Sequence, residues 1–232
     1  MSGLQYNPST GEPYLRLPAP FSNIILTPPR MTDVDESVAI LSDPEVAKWL
    51  GPTGPGSTYT TEKAQGWLTQ LTAKTDEMVK ELGGSTEPHP VSGCPLRHIR
   101  QVGAEGTERF LGDINITRSS FIEVPDVEER ARLVAENNAR VAGDPEISWM
   151  VSAPNFLAPS HQGRGLTTVA LRTLITQFGV PWMKTKRIRP ATFEDNHGSI
   201  KVLQKSGFVV IEKIRQEGLD KSGYLFEWRG FE

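Results

Sequence analysis

His161-Gln162-Gly163-Arg164-Gly165-Leu166-Thr167-Thr168, running on into Val169-Ala170-Leu171-Arg172-Thr173-Leu174-Ile175-Thr176-Gln177-Phe178, is the stretch that decides how this chain folds. Leu166, Ala170, Leu171, Leu174, Ile175 and Phe178 recur every three or four residues, which predicts a helix with one face on a sheet. The turn before it offers backbone N–H groups that no helical carbonyl can satisfy, at the positive end of the helix dipole. Glycines at 163 and 165 let the main chain approach a ligand where a Cβ would collide. An anion, most naturally a phosphate, fits such a turn.

Two general phosphate-binding patterns come close and miss. Gly163-x-Gly165-x-x-Thr168 approaches the dinucleotide fingerprint, but where that motif is answered by an acidic residue about 20 positions later, this chain has Lys184-Thr185-Lys186-Arg187-Ile188-Arg189. Gly51-Pro52-Thr53-Gly54-Pro55-Gly56-Ser57-Thr58 has P-loop glycine spacing with Ser57 where the lysine belongs. Two prolines remove donors from it and a helix-like segment precedes it, so it reads as a linker.

A third pattern is a family resemblance. Gln162-Gly163-Arg164-Gly165-Leu166-Thr167 resembles the Gln/Arg-x-x-Gly-x-Gly/Ala motif with which the GNAT superfamily of N-acetyltransferases cradles the pyrophosphate of acetyl-CoA. Upstream, the run from Ile24 to Asp33 and then Ser42-Asp43-Pro44-Glu45-Val46-Ala47-Lys48-Trp49-Leu50 is similar to the first strand and helices of the branch that includes the ribosomal-protein N-terminal acetyltransferases. Downstream, Asn196-His197-Gly198-Ser199 and Leu203-Gln204-Lys205-Ser206-Gly207-Phe208 resemble that branch's Asn-x-x-Ser helix and closing Gly-Phe. The resemblance spans roughly residues 23 to 228.

The resemblance implies an α/β (α+β) fold: a mixed, mostly antiparallel sheet of about seven strands, helices on both faces, and a central crossover through the glycine-rich loop and its helix. It implies acetyl-CoA as the acyl donor and a primary amine on a protein N-terminus, peptide or small molecule as the acceptor. The cofactor would be bound by Phe156 and Leu157 at the end of the preceding strand, by Gln162, Gly163, Arg164, Gly165, Leu166, Thr167 and Thr168, and by Asn196. Thr167 departs from the family's small residue, either crowding the pyrophosphate or lending it a hydroxyl. Leu203 stands where many members carry a tyrosine that protonates the leaving thiolate; by similarity to the branch, Ser199 inherits that role. A general base needs a pKa raised toward neutrality by burial, and Glu146, beside an apolar strand, is the first candidate, with Asp195 and Glu194 as substitutes. Each assignment has a plainer reading: Asn196 as a helix N-cap, Ser199 as a first-turn serine satisfying backbone, Glu146 as a strand-end salt bridge.

Composition narrows the classes. The chain has 232 residues, enough for one large domain, and a net charge of −3, which gives no general attraction to nucleic acid or anionic membranes. A single cysteine, Cys94, forbids an internal disulfide and fits a reducing compartment, so a cytoplasmic protein is expected, as monomer or homodimer. No apolar run approaches the roughly 18 residues of a membrane span. The histidines at 89, 98, 161 and 197 show no metal-ligand spacing, so no metal is expected; His161 and His197 flank the proposed cofactor loops. The basic run Lys184 to Arg189, with Arg164 and Arg172, meets the 3′-phosphate of coenzyme A or is a solvated face.

Along the chain, residues 1–22 read as an extended arm over the surface and 23–232 as a single domain. A strand at Asn23–Thr27, a helix from Thr32 or Asp33 to Leu41, and a second capped by Asp43 with Pro44 follow. After the linker at 51–59, Thr60 or Thr61 starts a helix carrying Ala64, Trp67, Leu68, Leu71, Met78 and Leu82, ended by Gly83-Gly84. Leu96–Val102 and Phe110–Thr117 form a hairpin. A charged helix, Val127–Val141, fills an insert at about 119–145, either as a solvated face or as a lid or dimer contact. Strands at Glu146–Val151 and Asn155–Ala158 leave an irregularity at Ala153-Pro154, where the family runs one strand into the turn. Arg187–Thr192 is a strand, Gly198–Ser206 a helix, and Val209–Gln216 and Tyr224–Trp228 the last strands.

Two other functions compete. A non-catalytic acyl-CoA-binding or regulatory module accounts for the missing tyrosine and for Thr167. A nicotinamide oxidoreductase would need more than the single strand-helix-strand unit around the loop.

Overall fold

The computed structural model describes residues 3–49, 59–151, 155–216 and 221–230. In chain order its elements are β1 (Leu4–Tyr6), β2 (Pro13–Arg16), β3 (Ile24–Thr27), α1 (Val34–Leu41), α2 (Pro44–Ala47), α3 (Thr61–Leu82), β4 (His98–Val102), β5 (Glu108–Asp113), β6 (Ile116–Arg118), α4 (Val127–Ala139), β7 (Ser148–Val151), β8 (Phe156–Leu157), α5 (Leu166–Leu174), β9 (Arg187–Ile188), β10 (Ala191–Phe193), α6 (His197–Lys205), β11 (Phe208–Gln216) and β12 (Lys221–Trp228). The linker expected at 51–59 lies, Tyr59 apart, outside the described residues, as does the irregularity expected at Ala153-Pro154.

The caps read from the sequence are made. Asp43 accepts from the Glu45 N–H with Pro44 opening α2, Thr60 accepts from the Lys63 N–H at the start of α3, and Gly83 ends α3 at φ 57°. α2 is shorter than expected, closing at Ala47.

Three ladders make up the sheet: β1-β2-β3-β4-β5-β8, β6-β7-β9 and β10-β12-β11. Among the described residues only the β7–β9 pairing is parallel. Two runs expected as continuous are broken: β5 gives way to β6 at Ile114-Asn115, and β9 to β10 at Arg189-Pro190, where proline has no N–H for a ladder, while β7 and β8 are the two separate strands expected. Taking β5 with β6, β7 with β8 and β9 with β10 as one run each gives seven strands among the described residues, with the β1–β2 hairpin added at one edge.

These breaks open the site. β7 and β9 lie side by side, then their chains part, one going to β5 as β8 and the other to β12 as β10. Among the described residues no pairing joins β8 to β10, so the sheet splays into a cleft between them. The chain leaves β8 into α5 and leaves β10 into α6, so two helix N-termini follow the two lips of the cleft.

Period-two alternation puts helices on both faces. Leu111 and Leu157 join the cluster containing Leu166, Ala170, Leu171, Leu174, Ile175 and Phe178 of the α5 region. Their neighbours Phe110 and Phe156 join Ile40, Leu41 and Val46 of α1 and α2 on the opposite face, with Trp67 of α3 against them. Each large α5 side chain buried this way contributes roughly 2 kcal/mol, so the helix is held by its face while its first turn stays open.

Residues 3–22 send apolar side chains into the core. Leu4, Leu15 and Leu17 are 0–3 % exposed in the main core, and Arg30 ties Glu12 of this segment to Glu108 of β5. The insert helix α4 is mostly exposed and its C-terminal end is held by polar contacts: Asn137 donates to the Ser148 carbonyl and accepts from its N–H, both at 2.9 Å, and Arg118 donates to the Asn137 and Arg140 carbonyls.

Candidate functional site

The glycine turn has the geometry its composition suggests. Gly163 and Gly165 sit at φ 72° and 83°, in the left-handed region, and a Cβ on either would meet nothing within 4 Å. No side chain caps α5. The first N–H to close a helical bond is that of Val169, on the Gly165 carbonyl at 3.1 Å. Among the described residues, the backbone N–H groups of 163–168 therefore have no backbone acceptor outside the helix, and they lie on an exposed turn at the positive end of the helix. Leu166 is buried and anchors the helix start; Thr167 and Thr168 are half-buried.

The turn is bolted to β8. Gln162 Nε2 donates to the Leu157 carbonyl at 2.8 Å, and the Ala158 N–H donates to the Leu111 carbonyl at 2.7 Å. Successive N–H groups of an extended strand point to opposite sides, so with Ala158 facing β5 the Leu157 N–H faces away from it, toward the cleft. Phe156 and Leu157 stand opposite Asp113 and Gly112. The approach there is close enough to require glycine: a Cβ at Gly112 would lie 2.1 Å from the Phe156 carbonyl oxygen.

The sign of charge at the turn is positive. The His161 pKa is lowered, first by burial and then by Arg164 and Arg109, and Ser160 Oγ lies 2.9 Å from its Nδ1. Arg109, from β5, was not foreseen, since nothing in sequence links position 109 to 164. Arg164, Arg172, Lys184, Lys186 and Arg187 are exposed, and Arg189 is half-buried and held by Glu227 at 2.8 and 2.9 Å.

On the other lip, Asn196 caps α6. Its Oδ1 accepts from the Ser199 N–H at 3.1 Å, which is the plainer of the two roles read from sequence, and the half-buried Ser199 is held there by its backbone. Glu146 needs correction as a base candidate: it is exposed in the turn before β7, its N–H bonded to Asp144 Oδ1 at 2.8 Å, and not in the buried setting expected of it. The substitute Glu194 is paired with Lys213 at 2.6 Å, and Asp195 is exposed.

Sequence reasoning missed a buried polar cluster beside β8. Asp33 accepts from His98 Nδ1 at 2.7 Å and from both terminal nitrogens of Arg100 at 2.7 and 2.6 Å. Arg97 grips Asp113 at 2.7 and 2.9 Å. Burial pushes the Asp33 pKa up, but the hydrogen bonds and charges of His98 and Arg100 outweigh it and bring it down to about 2. These residues lie 65 or more positions from Asp33 in the chain, so no local pattern joins them. Among the described residues no helix is long and apolar enough to cross a membrane, and no group of three or more His, Cys, Asp or Glu is placed to hold a metal ion.

Comparison with known proteins follows the same outline. Residues 23–209 match the model of the family described as acetyltransferase (GNAT) domain. Among solved structures, Mycobacterium smegmatis RimJ in complex with CoA-disulfide is similar at 17 % identity and TM-score 0.56, over 93 % of this chain and 85 % of that one. RimL, a ribosomal L7/L12 alpha-N-protein acetyltransferase in complex with coenzyme A, is similar at 10 % and 0.58, over 94 % and 98 %. The microcin C7 self immunity acetyltransferase MccE, in complex with acetyl-CoA and AMP, is similar at 13 % and 0.56, over 88 % and 91 %. At these identities the likeness is one of fold. No curated protein matches the chain by sequence.

Proposed function

The chain belongs to the GNAT acetyltransferase family, and from that membership we propose that it moves an acetyl group from acetyl-CoA directly to a primary amine at the cleft between β8 and β10. One observation carries the placement: the row of N–H groups at 163–168, without backbone acceptors among the described residues, on an exposed turn between positive-φ glycines. An anion of the pyrophosphate's size is what such a row accepts, and Arg164 and Arg109 add positive potential. The N-acetyltransferase reading is favoured over a non-catalytic acyl-CoA-binding module, because the match is to a family of transferases.

Bound acetyl-CoA supplies a thioester carbonyl open to attack by an amine. Of this chain's residues, we assign Gln162 through Thr168 to hold the diphosphate and Phe156 and Leu157 to align the pantetheine arm. The Leu157 N–H, facing the cleft, donates to the arm or to the oxygen on which charge develops. Asn196 orients the arm from the opposite lip while capping α6, and Ser199 returns a proton to the departing thiolate.

Glu146 is exposed and carries no base role in this scheme. An α-amine, with a pKa of about 8, is already about a tenth free base at neutral pH, whereas a lysine at about 10.4 is not. This favours a protein or peptide N-terminus among acceptors, with a small-molecule amine as the alternative. We further propose one acetyltransferase domain over 23–232 with an N-terminal arm and the α4 insert, acting in the cytoplasm as monomer or homodimer, without nucleic-acid, membrane or metal partners. Cys94, its pKa pushed up to about 12 by burial, supports a structural thiol in a reducing compartment. Calorimetry with coenzyme A and thiol release from acetyl-CoA with a panel of amines test the proposal; binding without turnover would return the module to favour, and no binding ends it.

A further inference from the structure

Across β3, β4, β5 and β8 one row of facing residues reads Thr27, His98, Asp113, Phe156. It ends on the strand that leads into the glycine turn. Its middle members are held out of water, His98 at 0 % and Asp113 at 1 % exposure. The charged groups facing the imidazole are Asp33, from the turn before α1, and Asp113, from β5, each clamped by its own guanidinium, Arg100 and Arg97 respectively, both on the His98 side of the sheet hairpin. Phe110 packs against the ring at 4.6 Å and Trp67 at 6.1 Å.

A neutral imidazole between two carboxylates has one N–H to give. The 2.7 Å contact assigns it to Nδ1 and Asp33. Nε2 then turns a lone pair toward Asp113 Oδ2 at 3.4 Å, within ion-pair range but with no hydrogen bond made. Acceptor facing acceptor is unfavourable, and at this depth water does not relieve it. A second proton would, by making Nε2 a donor to Asp113. The backbone of Asp113 pairs with Phe156, and Gly112 beside it has no clearance against the Phe156 carbonyl, so a shift of Asp113 is passed to β8.

We propose that His98 is a positioning residue for acetyl transfer: with Nε2 unprotonated it keeps Asp113 and the β5–β8 seam in the arrangement seen, and a proton on Nε2 displaces both. The inference rests on the reading that β8 aligns the thioester. Burial lowers the ring's pKa and Arg100 assists, while Asp33 and Asp113 oppose, so the neutral ring is the form at neutral pH.

The test follows the imidazole nitrogens and the Phe156, Leu157 and Ala158 amides by NMR in the ligand-free wild type from about pH 8 to about pH 5, beside the same titration of His98→Gln and acetyl transfer to a peptide by both proteins. The expected result is a single Nδ1–H tautomer at neutral pH, with ring and β8 amides moving at a common midpoint. In His98→Gln the amides stop responding, and the transfer rate loses an acid-side fall of about tenfold that the wild type shows beyond the loss of free amine. An Nε2–H tautomer, a ring that stays neutral until the chain unfolds in acid, or β8 amides that titrate alike in both proteins overturns the proposal. The wild-type titration needs no variant to fold and no ligand, so it judges the coupling even if coenzyme A proves not to bind. Absence of heat with coenzyme A sinks the acetyl-CoA reading by itself.

Discussion

Gln162 Nε2 donates to the carbonyl of Leu157 at 2.8 Å, tying the glycine turn to the strand in front of it. A hydrogen bond of this kind is worth about 1 kcal/mol. Replacing Gln162 by Ala should therefore weaken coenzyme A about fivefold with little change in unfolding midpoint. Calorimetry checks it, and unchanged affinity would show that the turn holds its shape without this tie.

The glycines at 112 and 165 predict opposite failures. Gly112→Ala forces a Cβ to within 2.1 Å of the Phe156 carbonyl, and overpacking of this order costs about 1–3 kcal/mol. Gly165→Ala meets open space and costs about 1–2 kcal/mol only through its left-handed φ. Denaturant melts should show Gly112→Ala impaired in stability and turnover together. Gly165→Val should remain folded while losing coenzyme A, because its side chain enters the space the diphosphate needs. Retained binding in Gly165→Val would move the site elsewhere.

Ser199→Ala separates catalysis from capping. Its N–H still donates to Asn196, so α6 should survive, whereas loss of a general acid lowers kcat about a hundredfold with KM for acetyl-CoA little altered. Steady-state kinetics decide it: an unchanged kcat would leave Ser199 with only its backbone role.

Asp33 gives the acid dependence of stability a sign. Its folded pKa of about 2 lies below the ordinary 3.8, so the folded state binds this proton less readily than the unfolded chain. The stabilisation, on the order of 2 kcal/mol, is present above the unfolded value and drains away as pH falls from about 4 toward about 2. Asp33→Asn should flatten that part of the curve of unfolding free energy against pH. Asp33→Ala, which leaves Arg100 buried without its carboxylate, should cost about 3–5 kcal/mol.

Much of this was written locally in the chain. Caps at Asp43 and Thr60, the α5 stripe and the hairpin of β4 and β5 are each set by residues within a few positions of one another, and so is the glycine turn, whose φ values follow from the only residue type that adopts them freely. Within 3–22, polar and proline-rich composition does not reveal that Leu4, Leu15 and Leu17 find a core made by others.

The sequence by itself determined the helices and the main strands from 23 onward, the turn that invites a phosphate and the family. Tertiary structure alone decided that Glu146 faces solvent, that Arg109 adds its charge to the turn, and that Asp33, His98 and Asp113 meet behind β8. The physical reason is range: capping and periodicity act over a turn or a strand, while burial and charge pairing depend on which distant strands the sheet makes neighbours.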